Sequence, residues 1–271
     1  MIVYSPDKNK ADWQARSVLL KNDLKSVLFK RFPDVLNNHI HNFHKKFILE
    51  NIPDSSSIKV LDAGCGYGRN SLILIERNKN IDITGIDISE HFAEAYLSNT
   101  GRPSFTGTIE DLPDSIGKFD YVLCVTVLMY VEKEKMDRSM KNLFSCLKQG
   151  GSIILIEPLV SGRLFSNGLG LLNLFGKKHE ITPGNCFKAK DLKKYITQNG
   201  GQILEEKRVP ITTIFIIPLY LLSLLLGDKP MRAILKGLST SDHILSNLKL
   251  PSLYTSLTAR LTLLFSFFLL S

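Results

Sequence analysis

Acidic residues are in short supply in this chain: 26 Asp and Glu face 34 Lys and Arg, a formal net charge of +8 over 271 residues. The shortage is uneven. Between Asn51 and Ser161 there are 15 acidic and 11 basic residues, so the basic excess lies in the flanks and the middle is mildly acidic. Cysteine is scarce too. Cys65, Cys124, Cys146 and Cys186 stand far apart with no CxxC pair, which excludes a disulfide framework and a zinc knuckle and fits a reducing cytoplasm. His39, His41 and His44 are spaced by two and three residues, so they lack the i, i+4 pair of a helical metal site, and no metal is expected. The N-terminus has no apolar secretory core and too little Arg and Ser for a transit peptide, and nothing routes the chain outward. What is present is apolar surface. At 44% hydrophobic residues the chain can bury a core, and its length fits one α/β domain with additions.

The first fifty residues carry helical spacing in SVLLKNDLKSVLFKRF and NNHIHNFHKKFILENI, with Pro33 and Pro53 as boundaries, and read as a helical cap over 1–50. From Lys59 onward, short apolar runs alternate with amphipathic stretches. KVLDA, DITGID, SFTGT, FDYVLCVT and GSIILIEP read as strands separated by helices, which implies a parallel, doubly wound sheet within a domain over 51–209. A Gly- and Leu-containing stretch over 159–188 reads as an insertion before a last unit, AKDLKKYITQNGG and QILEEKRVP. Residues 210–271 turn to Leu, Ile and Phe and read as an apolar, helical C-terminal extension.

VLDAGCGYG joins the first strand to a helix near Asn70, and Gly64, Gly66 and Gly68 let the backbone turn beneath a ligand. Such a turn also serves simply to pack a helix on a sheet. The glycines fall two apart, whereas a dinucleotide fingerprint wants three between its second and third, so a nucleoside without a pyrophosphate fits better. About 20 residues on, TGIDIS places Asp87 where a carboxylate can accept from two ribose hydroxyls. Asp87 with Ser89 would equally suit a turn or helix cap.

Taken in order, VLDAGCGYG, GIDIS, GTIEDLP, FDYVLCVTVLMYV and LKQGGSIILIEP resemble the motifs of class I S-adenosylmethionine (SAM)-dependent methyltransferases, over residues 40 to 210. The resemblance implies a mostly parallel, seven-stranded Rossmann-like sheet and SAM as cofactor. It also implies that Asp62, Gly64, Cys65 and Gly66 cradle the methionine side, that Asp87 is the ribose acid, and that Ile88 and Ile109 wall the adenine. Thr108 and Glu110 would adjoin them and Cys124 would touch the cofactor from strand four. Thr108 departs from the family, which often has Asp there, and LMYV departs where relatives often show His. Asp62 could instead brace the loop. The sulfonium methyl is already activated, so transfer needs mainly in-line positioning. For a hydroxyl acceptor, Tyr130, Glu157 or a histidine of the 38–44 stretch could take the proton.

The additions outside the sheet should select the acceptor. VPITTIFIIPLYLLSLLLG is uncharged from Val209 to Gly227 and flanked by Lys207, Arg208, Lys229, Arg232 and Lys236. It reads as an interfacial helix, a buried cap or, at minimum length, a membrane span. The interfacial reading suggests a lipophilic small-molecule acceptor and a cytoplasmic protein in peripheral contact with a membrane. The end, ARLTLLFSFFLLS, fits either an antiparallel seventh strand or a helix. A non-catalytic SAM-binding protein and an RNA methyltransferase are the competing readings. The latter lacks an aromatic-interleaved basic patch and an NPPY-like stretch. Oligomeric state is left open.

Overall fold

The computed structural model describes residues 6–30, 32–159, 187–209, 215–247 and 254–261. Three helices come first: α1 (Pro6–Leu20), α2 (Leu24–Val27) and α3 (Asp34–Asn51). The first apolar stretch is therefore not one helix. Lys21 takes a left-handed φ of 47°, which stops α1, and the Asp23 side chain accepts from the Lys25 N–H to start α2. Then β1 (Lys59–Ala63), α4 (Arg69–Arg77), β2 (Asp82–Asp87), α5 (Glu90–Thr100), β3 (Ser104–Thr106), β4 (Phe119–Val125), α6 (Met136–Ser145) and β5 (Leu147–Pro158) alternate as expected. After the insertion, of which 160–186 lie outside the described residues, come α7 (Ala189–Gln198), β6 (Gly201–Arg208), α8 (Ile216–Leu226), α9 (Asp228–Leu245) and β7 (Tyr254–Leu261).

The seven strands form one sheet in the order β3-β2-β1-β4-β5-β7-β6, with β7 antiparallel to both neighbours and the other pairings parallel. Val60, Leu61, Val122, Leu123, Ile153 and Ile154 are buried on both faces because helices cover each side, which is why these strands read as continuous apolar runs. One face packs on α3 and α4 through Leu36, Ile40, Phe47 and Leu74. The other packs on α6 and α7 through Met140, Leu143, Phe144 and Leu192. The chain winds outward from β1 to β3 and returns to β4 beside β1, so the strand order reverses between β1 and β4. A crevice forms there, beyond the carboxyl ends of the strands.

The C-terminal extension contains two helices and the strand β7, which slots between β5 and β6. The expected strand thus begins earlier than ARLTLLFSFFLLS, at Tyr254, and residues after 261 lie outside the described part. Within the uncharged stretch after Val209, α8 accounts for 11 residues, and among the described residues no helix is long and apolar enough to cross a membrane.

Candidate active site

The turn from β1 into α4 builds one wall of the crevice. Gly64, Gly66 and Gly68 all adopt left-handed backbone, with φ of 76°, 53° and 95°. The turn is tied to β2, since the N–H groups of Gly64 and Cys65 donate to the Ile86 carbonyl at 2.7 and 3.0 Å. Asp87, at the end of β2, holds the turn from the other side. Its Oδ2 accepts from the Gly66 N–H and its Oδ1 from the Ser89 N–H, both at 2.9 Å. The bracing and binding readings of Asp87 are therefore compatible: each oxygen is fixed by one N–H, keeps a further lone pair, and the residue still lines the crevice. Burial raises this carboxyl to about 6, against the Ser89 and Gly66 N–H groups, which pull it down.

Ile88, Thr108, Ile109 and Glu110 supply the next wall. The loop carrying the last three is clamped by Asn142 of α6, whose Nδ2 donates to the Ile109 and Glu110 carbonyls at 3.1 and 2.7 Å. The end of β4 supplies the third wall: Val125, Thr126, Val127, Tyr130 and Val131. Thr126 sits at a φ of 59°, rare for a β-branched residue, with its N–H on the Ile156 carbonyl at 2.7 Å. The three walls leave a cavity of about 110 Å³ that opens to solvent.

Three expected site residues do not line it. Asp62 is 1% exposed and turned into the fold, where its Oδ2 accepts from the Ser71 hydroxyl at 2.7 Å; it braces the turn onto α4. Cys124 is fully buried in the core beside α6. Glu157 is also fully buried, which corrects its assignment as a proton acceptor for substrate. Its Oε1 accepts from the Val127 and Leu128 N–H groups at 2.9 and 2.8 Å and its Oε2 from the Met129 N–H at 3.2 Å. Burial lifts this carboxyl to about 8 while the three N–H groups oppose the rise. Glu157 therefore acts as a positioning residue that holds the backbone between Thr126 and Tyr130.

Among the crevice-lining residues that the sequence reading did not single out are four from α1 and α4. Arg69, 6% exposed, is set by neutral imidazoles: its Nη1 donates to His41 Nδ1 at 2.9 Å and stands 3.5 Å from His44 Nδ1. Burial first and the guanidinium second lower both histidines, His41 to about 4 and His44 well below its ordinary value. Asn70 is 4% exposed and its Oδ1 has no hydrogen-bond partner. From α1 come Asn9 and Trp13. Asn9 Nδ2 donates to the Tyr130 carbonyl at 3.1 Å, leaving its buried Oδ1 unpartnered. Trp13 meets the Tyr130 ring edge-on at 4.9 Å. Next to Trp13, Gln14 accepts from the Ser89 hydroxyl at 2.9 Å, so the middle of α1 ties the end of β2 to the end of β4. The signal for Arg69 and Asn70 was their place after the last glycine. Nothing in the sequence singles out Asn9 or Trp13, whose partners lie 121 and 117 residues away.

The fold is a Rossmann-like α/β fold with a crevice at the carboxyl ends of its strands. Residues 60–151 match the family described as a methyltransferase domain. It is 29% identical over 151 residues to the magnesium-protoporphyrin O-methyltransferase of Synechocystis, covering 53% of this chain and 63% of the relative. It is also 29% identical over 133 residues to an uncharacterised protein of Rickettsia prowazekii, covering 46% and 52%. The alignments thus span from about half to under two thirds of these relatives. The structure of the Synechocystis magnesium protoporphyrin IX methyltransferase with bound S-adenosylhomocysteine superimposes with a TM-score of 0.57 at 16% identity, covering 96% and 97% of the two chains.

Proposed function

We propose that this protein binds SAM in the crevice and transfers a methyl group to a small, lipophilic acceptor. The observation that carries the reading is Asp87, a buried carboxylate fixed by two N–H groups between a glycine turn and two isoleucines, Ile88 and Ile109. That set fits an adenosine: the carboxylate takes ribose hydroxyls and the isoleucines take the two faces of a base. Gly64 and Gly66 leave room for the remainder of the cofactor. Arg69 and Asn70 fit its amino-acid end, because a buried guanidinium suits a carboxylate and the unpartnered Asn70 Oδ1 suits an ammonium. The bound cofactor supplies an activated methyl group on a sulfonium.

The acceptor belongs at the end of β4. Trp13, Val127, Tyr130 and Val131 give that end apolar walls, and Asn9 Oδ1 is a ready acceptor for an O–H or N–H. These residues orient the acceptor and exclude water, which is most of what methyl transfer requires. Tyr130 is the titratable side chain facing this end and the candidate to receive a proton from a hydroxyl acceptor. One relative is named for a magnesium-protoporphyrin acceptor, which supports the lipophilic reading.

Isothermal titration with SAM and with S-adenosylhomocysteine tests the site. The wild type should bind both, and Asp87→Asn should weaken each by at least tenfold, since a hydrogen bond to a charged group contributes about 1.5–3 kcal/mol. Absence of binding by the wild type would overturn the reading.

The same titration should depend on pH. Ribose hydroxyls donate to the ionised Asp87, so ligand competes with the proton that the carboxyl takes up as pH falls through about 6. Affinity should be level above neutrality and fall by up to roughly tenfold per pH unit below about 6. Asp62 is raised to about 6 as well but does not face the crevice, so Asp87→Asn should abolish the slope. A slope unchanged in that variant would assign it elsewhere.

A further inference from the structure

The helix α8 carries no charge; Leu219, Tyr220 and Leu222 pack on the core and another face is left exposed. Leu219 and Ser223 are buried, while Leu221 is 44%, Leu224 62%, Leu225 81% and Leu226 43% exposed. Leu221, Leu224 and Leu225 are related by i, i+3 and i, i+4, so they form one stripe. Soluble proteins scatter exposed leucines singly; a run of this kind on one helix marks a surface with a ligand. Gly227, at a φ of 70°, turns the chain directly into α9. There Lys229, Arg232 and Lys236 repeat at i, i+3 and i+7, forming a basic stripe on one face, and all three are exposed. Among the described residues Asp228 opposes them, 3.7 Å from Arg232. Lys207 and Arg208, the other basic residues near this stretch, are engaged with Glu50, Glu205 and Glu206 and are spent within the fold.

We propose that α8 and the start of α9 dock this protein on an anionic lipid bilayer, with the leucines at the acyl boundary and Lys229, Arg232 and Lys236 at the headgroups. The pairing of an uncharged apolar helix with an adjacent basic stripe matches the two parts of such a surface. The position also suits the proposed chemistry. β6 runs parallel to β5, so its carboxyl end, from which the chain leads toward α8, lies on the same sheet edge as the crevice. Docking there would bring the crevice near membrane-dissolved molecules. That last step rests on the methyltransferase reading; the docking itself does not.

Co-sedimentation of the full chain with vesicles tests it, using phosphatidylcholine alone and a phosphatidylcholine–phosphatidylglycerol mixture. Binding to the mixed vesicles is expected, with weaker binding to phosphatidylcholine and weakening as salt is raised. The double variant Leu224→Glu, Leu225→Glu should lose binding by at least tenfold. Neutralising Lys229, Arg232 and Lys236 to Gln should cost about fivefold per residue. Both substitutions are at exposed positions, so SAM titration and thermal melting should stay at wild-type values and separate this outcome from failure of the cofactor site. Wild-type protein that ignores anionic vesicles, or variants that bind them as well as wild type, would overturn the proposal. So would a solution dimer that the leucine variant dissociates without any vesicle binding, because a second copy would then cover the face.

Discussion

Glu157→Ala should leave the protein barely folded. Above about pH 8, where it is ionised, the Glu157 carboxylate accepts from three consecutive backbone N–H groups, those of Val127, Leu128 and Met129, in a position with no access to water, and the stability losses expected on substitution apply there. Leaving one buried donor unsatisfied costs about 1–3 kcal/mol, so three together are a large part of the 5–15 kcal/mol that stabilises a typical domain. Denaturant titration should show a loss of roughly 3 kcal/mol or more. Glu157→Gln separates the hydrogen bonds from simple volume. Its carbonyl can still take two N–H groups, but its NH₂ must face the third as donor against donor, so a loss of about 1–3 kcal/mol is expected. Because the N–H groups belong to the turn between Thr126 and Tyr130, methyl-acceptor turnover should fall more than SAM affinity in the glutamine variant. A glutamine variant that melts and turns over like wild type would remove Glu157 from the positioning role.

The second large effect is expected at Gly64, and it is coupled to that turn. A Cβ on Gly64 would lie 2.2 Å from Val127 Cγ2 and would have to adopt a φ of 76°. The left-handed backbone alone costs a non-glycine residue about 1–2 kcal/mol, and overpacking adds about 1–3 kcal/mol. Gly64→Ala should therefore destabilise by roughly 2–5 kcal/mol and weaken SAM at least tenfold, as the turn is pushed off Asp87 and the end of β4. Val127 is β-branched and its neighbours are pinned by Glu157, so it has no easy rotamer to escape into. The double variant Gly64→Ala, Val127→Ala should recover the steric part and keep the backbone part. A double-mutant cycle with no recovery would show that the clash is relieved by backbone movement instead.

The parts of this site that were legible in the sequence are those held by neighbours in the chain. The glycine turn, Asp87 with Ile88, and Thr108 to Glu110 each sit at a strand end, and a strand end is marked by local pattern: an apolar run, then glycine or a polar cap. The alternation of strands and helices carries the parallel sheet for the same reason. Asp87 was readable either as a ribose acid or as a cap, and it makes the N–H contacts of a cap while facing the crevice. The N-terminal cap over the fold was also legible, but not where α1 stops, since Lys21 gives no residue-type signal for left-handed backbone.

Side-chain direction was decided elsewhere. Asp62, Cys124 and Glu157 lie at strand positions that face the site in pattern, yet each points into the protein because a partner in another element receives it: Ser71 of α4, the core beside α6, and three backbone N–H groups from the β4 turn. The period of two along a strand tells which residues share a face, not which face a ligand will meet. Asn9 and Trp13 were invisible because their roles exist only once α1 lies across Tyr130. The sequence by itself determined the order of elements, the cofactor class and the residues at strand ends, since these depend on short-range pattern. Only the tertiary structure decided which carboxylates are turned into the fold and which line the crevice, what roofs the crevice, and which face of α8 is exposed, because each of these depends on how the elements pack.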